Sequence, residues 1–155
     1  MLRYYFFSFT LLLCHLPLSA EQPLPKKLTH WVVLHDNSLL TGRVTRIGSD
    51  EIHLTNKDET IALKRSDVRS VLLVPPVDPI LARKKRDALL NPNTEVKLPY
   101  DSLTLINGDG VRGRISQYSD GRFRIFLCDD RGELLSSEAT VLTRQSVRVI
   151  HLKDR

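Results

Sequence analysis

Apolar and polar residues alternate along two long segments of the chain, from Val32 to Leu73 and from Leu103 to Ile150. A period of two is typical of β-strands that are buried on one face. Short groups of Asn, Asp, Gly and Ser interrupt both segments, and these residues favour turns, partly because Asn and Gly tolerate positive φ. The pattern predicts about five short strands in each segment, with Val32 and Leu34 facing inward on the first strand.

The two segments align with each other. At an offset of 71 residues Leu34 falls on Leu105 and Gly42 on Gly113, whereas the closing strands align at an offset of 79. The second segment therefore contains an insertion of about eight residues, around positions 132–140. An internal repeat indicates a fold built from two similar units. Residues 31–74 are called copy one and residues 101–155 copy two.

Gly42 and Gly113 lie inside the second predicted strand of their copies. A glycine within a strand usually marks a bulge, a bend or a close backbone approach, and small barrels need such bends to close. The sequence therefore predicts an all-β protein made of two tandem small five-stranded, bent antiparallel barrels. Because about forty residues form only a marginal core, we expect the copies to pack on each other or on a partner. A single β-sandwich built from both copies is the alternative.

Residues 75–100 form a linker that holds five of the eight prolines. Within it, Asp78 is a suitable helix cap and Pro79 suits the first helical position, so the sequence predicts a short helix that Asn91-Pro92 ends. One turn of this helix carries four consecutive cations, Arg83, Lys84, Lys85 and Arg86. Those cations are either a solvated helix face or a contact for an acidic partner.

Residues 1–20 have the three parts of an export signal. Arg3 precedes an apolar run from Phe6 to Leu16, and small residues at Ser19 and Ala20 precede Glu21. The run is shorter than the ~20 residues that span a membrane. We expect cleavage between Ala20 and Glu21 and a periplasmic or secreted protein with no transmembrane segment. An uncleaved anchor is the alternative.

The stretches from Val32 to Val44 and from Leu103 to Ile115 share one order of residues: apolar positions, an Asp-Asn or Asn-Gly turn, then Gly-x-Val or Gly-x-Ile. This order resembles the first motif of the Sm-like small barrels, and the residues around Val68 and Val147 fall where the second motif would. The resemblance implies five-stranded barrels, many of which assemble as rings that bind RNA.

The chain departs from the Sm-like pattern at the RNA-contacting positions. Ser49-Asp50-Glu51-Ile52 stands in place of the Met-Asn loop of the eukaryotic proteins, and Arg65-Ser66-Asp67 in place of Arg-Gly. The resemblance therefore carries over the fold and leaves a homo-oligomer open, but it does not carry over the RNA site. We do not expect nucleic acid as a partner.

The charge of the mature chain is mixed rather than clustered. Copy one has six basic and six acidic residues, and copy two has nine and eight, whereas nucleic-acid binding usually requires a basic patch. Four arginines of copy two alternate with apolar positions and are expected to share one outer face: Arg112, Arg114, Arg122 and Arg124. With the helix cations they are the candidate contacts for a polyanion or another partner.

The sequence contains no arrangement of residues that predicts catalysis, a metal or a cofactor. No pair of histidines in the mature chain has the spacing of a helical zinc site. After export Cys128 is the one remaining cysteine, and it is expected to be buried or half-buried, a free thiol or an intermolecular bridge. We therefore expect a non-enzymatic binding or scaffold module for a cell-envelope protein or component. Polyanion binding is the alternative, and an enzyme is a third reading that rests on Cys128 and scattered histidines.

Overall fold

The computed structural model describes residues 29–75, 78–90 and 98–153, so the predicted signal peptide and the Asn91-Pro92 helix end lie outside the described residues. Ten strands and one α-helix are present in these ranges, which confirms the all-β class. Copy one contains β1 (His30–Leu34), β2 (Leu39–Ile47), β3 (Glu51–Asn56), β4 (Glu59–Lys64) and β5 (Val68–Leu72). Helix α1 (Pro79–Leu90) follows. Copy two contains β6 (Asp101–Leu105), β7 (Gly110–Ser119), β8 (Arg122–Leu127), β9 (Thr140–Thr143) and β10 (Val147–His151).

The predicted turns connect these strands. Asp120 and Gly121 join β7 to β8 with φ values of 51° and 73°, and two positive φ values give the turn whose twist matches paired antiparallel strands. Asn37 and Gly108 occupy equivalent places in their copies, with φ values of 65° and 96°. Local sequence therefore defines the hairpins of both copies in the same way.

Helix α1 begins as its sequence predicts. The backbone N–H of Leu81 donates to Asp78 Oδ1 at 2.8 Å, and Pro79 is the first helical residue. No side chain that is described on this helix is buried. The Arg69 guanidinium donates to the carbonyl of Leu89 and connects the end of the helix to copy one.

The strands of both copies belong to one antiparallel sheet. Each copy has its strands in the order fourth, third, second, first and fifth, and β5 pairs with β10 to join the copies. In addition, β2 and β7 meet where Ile47 pairs with Tyr118. That second junction closes a cycle of six strands, β2-β1-β5-β10-β6-β7, while β4 and β9 lie at the edges of the sheet.

The junction between the copies repeats about a pseudo-two-fold axis. The N–H of Leu73 donates to the carbonyl of Arg148, and the N–H of Leu152 donates to the carbonyl of Arg69, both at 2.9 Å. The two donors, Leu73 and Leu152, correspond at the offset of 79, and so do the two acceptors, Arg69 and Arg148. The two copies therefore contact each other through equivalent surfaces.

Both copies contribute to one hydrophobic core. Val32, Val33 and Phe123 are fully buried, and the rings of Tyr118 and Phe123 stack with centroids 4.4 Å apart. Val32 lies in this core and the half-buried Leu34 packs against it, as the alternation predicts, while Val33 is also buried although it is not part of that cluster. The register of β1 against β5 shifts between Val33 and Leu34, where Arg69 is the extra residue on β5.

Gly42 and Gly113 allow two strands to approach closely. A Cβ atom on Gly113 would lie 2.6 Å from Cγ1 of Ile125, and one on Gly42 would lie 2.8 Å from the carbonyl oxygen of Thr55. Each of these atoms belongs to the third strand of the same copy as the glycine. Neither atom is the far end of a flexible side chain that could move away. The repeated glycine therefore sets the spacing between the second and third strands.

Replacing Gly113 with alanine should lower the free energy of unfolding by about 1–3 kcal/mol, because the added methyl group overpacks the β7–β8 interface. Urea unfolding measures this change. Gly110 is a matched control on the same strand, since a Cβ there meets nothing within 4 Å, and Gly110→Ala should change stability little. Equal losses in the two variants would contradict the packing explanation.

Candidate functional site

Five buried polar residues lie in the described part of the chain: His30, Arg65, Ser70, Asp101 and Arg144. The side chains of all of them except Ser70 lie in contacts between the copies. Buried charges are costly unless they are paired and hydrogen-bonded. Their partners therefore indicate what these residues do.

Arg65 of copy one binds Asp101 of copy two. Arg65 begins a short 3₁₀ turn between β4 and β5, and its N–H donates to the carbonyl of Asp50 at 2.7 Å. Its side chain is 1 % exposed; Nη2 donates to Asp101 Oδ2 at 2.5 Å and Nη1 to the carbonyl of Gly48 at 2.7 Å. We call this contact the Arg65–Asp101 clamp.

The carboxylate of Asp101 has further partners in copy two. Its Oδ2 accepts a bond from the N–H of Ile115 at 2.8 Å, and its Oδ1 accepts one from the N–H of Lys153 at 2.9 Å. Asp101 thus links the first strand of copy two to its second strand, to the segment after β10 and to copy one. Its negative charge is neutralised by Arg65, and both side chains are almost fully buried.

Arg144 makes the corresponding contact in the opposite direction. It begins the 3₁₀ turn between β9 and β10, and its Nη2 donates to the carbonyl of Leu73 in copy one at 2.5 Å. The same nitrogen lies 3.4 Å from Nε2 of His30, whose Nδ1 accepts the N–H of Val44 at 2.9 Å. We call this contact the Arg144–His30 clamp.

The Arg144–His30 clamp lacks a carboxylate. Burial, with Arg144 and Arg43 nearby, lowers the pKa of His30 to about 4, so the imidazole is neutral at pH 7. Because Nδ1 accepts the bond from Val44, the network assigns the proton to Nε2. Two donors then face each other at 3.4 Å, and carbonyl oxygens rather than His30 hold the Arg144 guanidinium. Burial lowers the pKa of Arg144 as well.

Sequence reasoning missed all four clamp residues. The charge totals of the two copies do not distinguish Arg65 and Arg144 from other basic residues, although these two correspond at the offset of 79. His30 and Asp101 correspond at the offset of 71 and each precede the first apolar strand positions of a copy. Polar residues that recur at equivalent places in an otherwise apolar pattern are the signal that was available.

The predicted contact residues are all exposed. Arg83, Lys84, Lys85 and Arg86 lie on helix α1, and Arg112, Arg114, Arg122 and Arg124 lie on the paired strands β7 and β8. The structure therefore brings the four strand arginines onto one hairpin. Arg112 forms an ion pair with Asp130, and its guanidinium lies 6.0 Å from the centroid of the Tyr100 ring.

The arginine hairpin has no counterpart in copy one. At the positions that correspond to Arg122 and Arg124, copy one has Glu51 and His53, whose side chains lie 3.6 Å apart. Only Arg114 has a basic equivalent, Arg43. The two copies therefore differ in surface charge although their strands have the same order.

Cys128 is buried, as expected, and its Sγ lies 3.6 Å from the carbonyl oxygen of Phe126. Among residues 29–75, 78–90 and 98–153, no three His, Cys, Asp or Glu side chains are grouped closely enough to hold a metal ion. Helix α1, the one helix in those ranges, is too short and too polar to cross a membrane.

No protein-family model matches this sequence, and no curated protein sequence is significantly similar to it.

Proposed function

We propose that the protein is an exported, non-enzymatic binding or scaffold module for a protein or another component of the cell envelope. The observation that carries this proposal is the use of buried polar side chains between the copies: Arg65 pairs with Asp101, and Arg144 donates to the carbonyl of Leu73. These buried contacts hold the two copies in a fixed orientation relative to each other, and a fixed orientation of two similar units suits a scaffold. The signal-like residues 1–20 supply the argument for export.

We also propose that each copy is a small barrel of the Sm-like kind, and that the two share the β5–β10 junction. The strand order within each copy and the glycine at the second strand support this proposal. In this arrangement β5 and β10 are already paired with each other. A further protein that extends the sheet would therefore contact β4 or β9.

The edge strands offer apolar side chains to such a partner. Ile61 on β4 is 38 % exposed although Leu54, its neighbour on β3, is 1 % exposed, and Val141 on β9 is 55 % exposed. Addition of a strand to a free sheet edge is a common mode of protein recognition. The same edges would serve a second copy of this chain in a homo-oligomer.

Native mass spectrometry of the protein purified from its host's envelope fraction tests the proposal. We expect the mass of a chain that begins at Glu21, together with a stoichiometric companion or a closed oligomer. Lysine in place of Ile61 or Val141 should abolish that assembly, whereas Ile106→Lys, at a 49 % exposed position in a hairpin turn, should not. A monomer that recovers no companion would contradict the scaffold function.

Polyanion binding is the second candidate, because the arginine hairpin is present in copy two where copy one has Glu51 and His53. If it is correct, affinity for heparin should fall steeply with salt, since bound cations release counterions. Replacing both Arg122 and Arg124 with glutamine should reduce the slope of log affinity against log salt by roughly 0.7–0.9 for each arginine.

Calorimetric titration with heparin at several salt concentrations measures that slope. Replacing both Arg43 and Arg46 with glutamine is the matched control, because these arginines are exposed on β2 of copy one. Affinity that does not vary with salt, or equal changes in both double variants, would exclude the arginine hairpin as the polyanion site.

A further inference from the structure

The insertion in copy two forms an ordered loop against the start of β6. Copy one has only Lys57 and Asp58 between its third and fourth strands, whereas copy two has residues 128–139 at that place. Asp129 Oδ1 accepts bonds from the N–H groups of Arg131 and Glu133, both at 2.9 Å. Gly132, with φ of 82°, packs so closely on Pro99 that a Cβ would lie 2.9 Å from its carbonyl oxygen.

This loop completes a concavity that we call the loop pocket. Its volume is about 430 Å³, within the range of small-molecule sites. The lining residues are Pro99, Tyr100, Asp101, Arg114, Cys128, Gly132 and Lys153. Copy one has no insertion, and it has Val74 at the position that corresponds to Lys153.

The free charge of the loop pocket is positive. Asp101 is its one acidic lining residue in the part of the chain that the structure describes, and both of its oxygens are engaged by Arg65 and by backbone N–H groups. Neither Arg114 nor Lys153 forms an ion pair with an acid of the described ranges. Both residues are exposed to solvent. Within the described ranges, the pocket therefore has two positive charges that are not paired with an acid.

We infer that the loop pocket binds a dianionic phosphate group, that of a phosphate monoester. A phosphate monoester carries a charge of about −1.5 to −2 at pH 7 and three strong acceptor oxygens, which matches one arginine and one lysine. Arginine binds phosphate through a planar fork and lysine as a compact charge. Tyr100 also lines the pocket, and a tyrosine hydroxyl can donate a hydrogen bond. This site lies beyond the scaffold function and does not depend on it.

Titration of ¹⁵N-labelled full-length protein with methyl phosphate at pH 7.5, followed by amide NMR shifts, tests the site. We expect saturable shifts at Gly132 and Lys153. Arg114→Gln and Lys153→Gln should each weaken binding about tenfold or more, the loss typical of one charge-assisted hydrogen bond. Arg43→Gln, at the corresponding position of copy one, should weaken it less than about twofold by the same scale.

Dimethyl phosphate, a monoanion of nearly the same size, is the matched ligand and should bind at least about tenfold more weakly if the second charge is recognised. Shifts that do not saturate, equal binding of the two esters, or binding that Arg114→Gln and Lys153→Gln leave unchanged would overturn the inference. Overlaid spectra of the variants establish that each is folded. If methyl phosphate binds and the envelope purification recovers no companion, only the scaffold function fails.

Discussion

Replacing Asp101 with alanine should lower the free energy of unfolding by about 3–5 kcal/mol, the largest loss we expect from a single substitution. The change leaves the guanidinium of Arg65 buried without its carboxylate, and removal of one partner of a buried ion pair has a cost of that size. It also removes the acceptor for the N–H groups of Ile115 and Lys153. Urea unfolding measures the loss.

Asp130→Ala provides the comparison for this prediction. Asp130 also pairs with an arginine, Arg112, but its side chain is 79 % exposed, and exposed pairs contribute about 0–1 kcal/mol. A double variant, Arg65→Met with Asp101→Leu, should recover part of the stability that Asp101→Ala loses, because no unpaired buried charge remains at this contact. If Asp101→Ala costs no more than Asp130→Ala, the clamp does not hold the copies together.

Acidification should destabilise the protein through His30 by about 3 kcal/mol between pH 6.5 and pH 4. The folded pKa of about 4 lies below the ordinary value of 6.5, so the unfolded chain binds the proton first. The stability that neutral His30 contributes is therefore complete above pH 6.5, falls as the pH decreases, and is lost once the pH is below 4. A difference of 2.5 pKa units corresponds to that energy.

The pH dependence of urea unfolding in the wild type and in His30→Asn isolates this contribution. Carboxylates elsewhere act in both proteins, so the difference between the two curves reports on His30. We expect the curves to converge as the pH falls from 6.5 to 4 and to run parallel below pH 4. Curves that run parallel across the whole interval would show that His30 is not buried in its neutral form.

Most of the local structure could be predicted from the sequence, because it depends on residues that are close together in the chain. The strands follow from alternation, the hairpins from turns such as Asp120-Gly121, and the start of helix α1 from Asp78 and Pro79. The insertion between β8 and β9 follows from comparing the offsets of the two copies. Each of these features is determined within a few residues.

The relation between the copies could not be predicted in the same way. The β5–β10 junction pairs one strand from each copy, and alternation does not identify the neighbour of a strand. Arg65 reaches Asp101 across 36 positions of the chain, and Arg144 reaches the carbonyl of Leu73 across 71. Charged residues are usually exposed, so nothing in the composition distinguishes these two arginines from the others.

The loop pocket was missed for a related reason. Arg114 was predicted to belong to an outer arginine face with Arg112, Arg122 and Arg124, and it does lie on that hairpin. Arg114 and Lys153 line the same pocket because the insertion folds against Pro99, and that contact is a tertiary one. The sequence located the insertion but did not indicate which surface it covers.

The pseudo-two-fold junction has a consequence for how the two halves could diverge. In a symmetric dimer of identical chains every substitution at the interface occurs twice, so one surface must be compatible with itself. Here both halves belong to one polypeptide, so a substitution at the junction changes one copy and leaves the equivalent position of the other copy unchanged. One half can retain an aspartate where the other has a histidine, and one can acquire a loop and arginines while the other does not. Covalent linkage therefore allows the two copies to carry different residues and different surfaces, whereas the two subunits of a homodimer must carry the same ones.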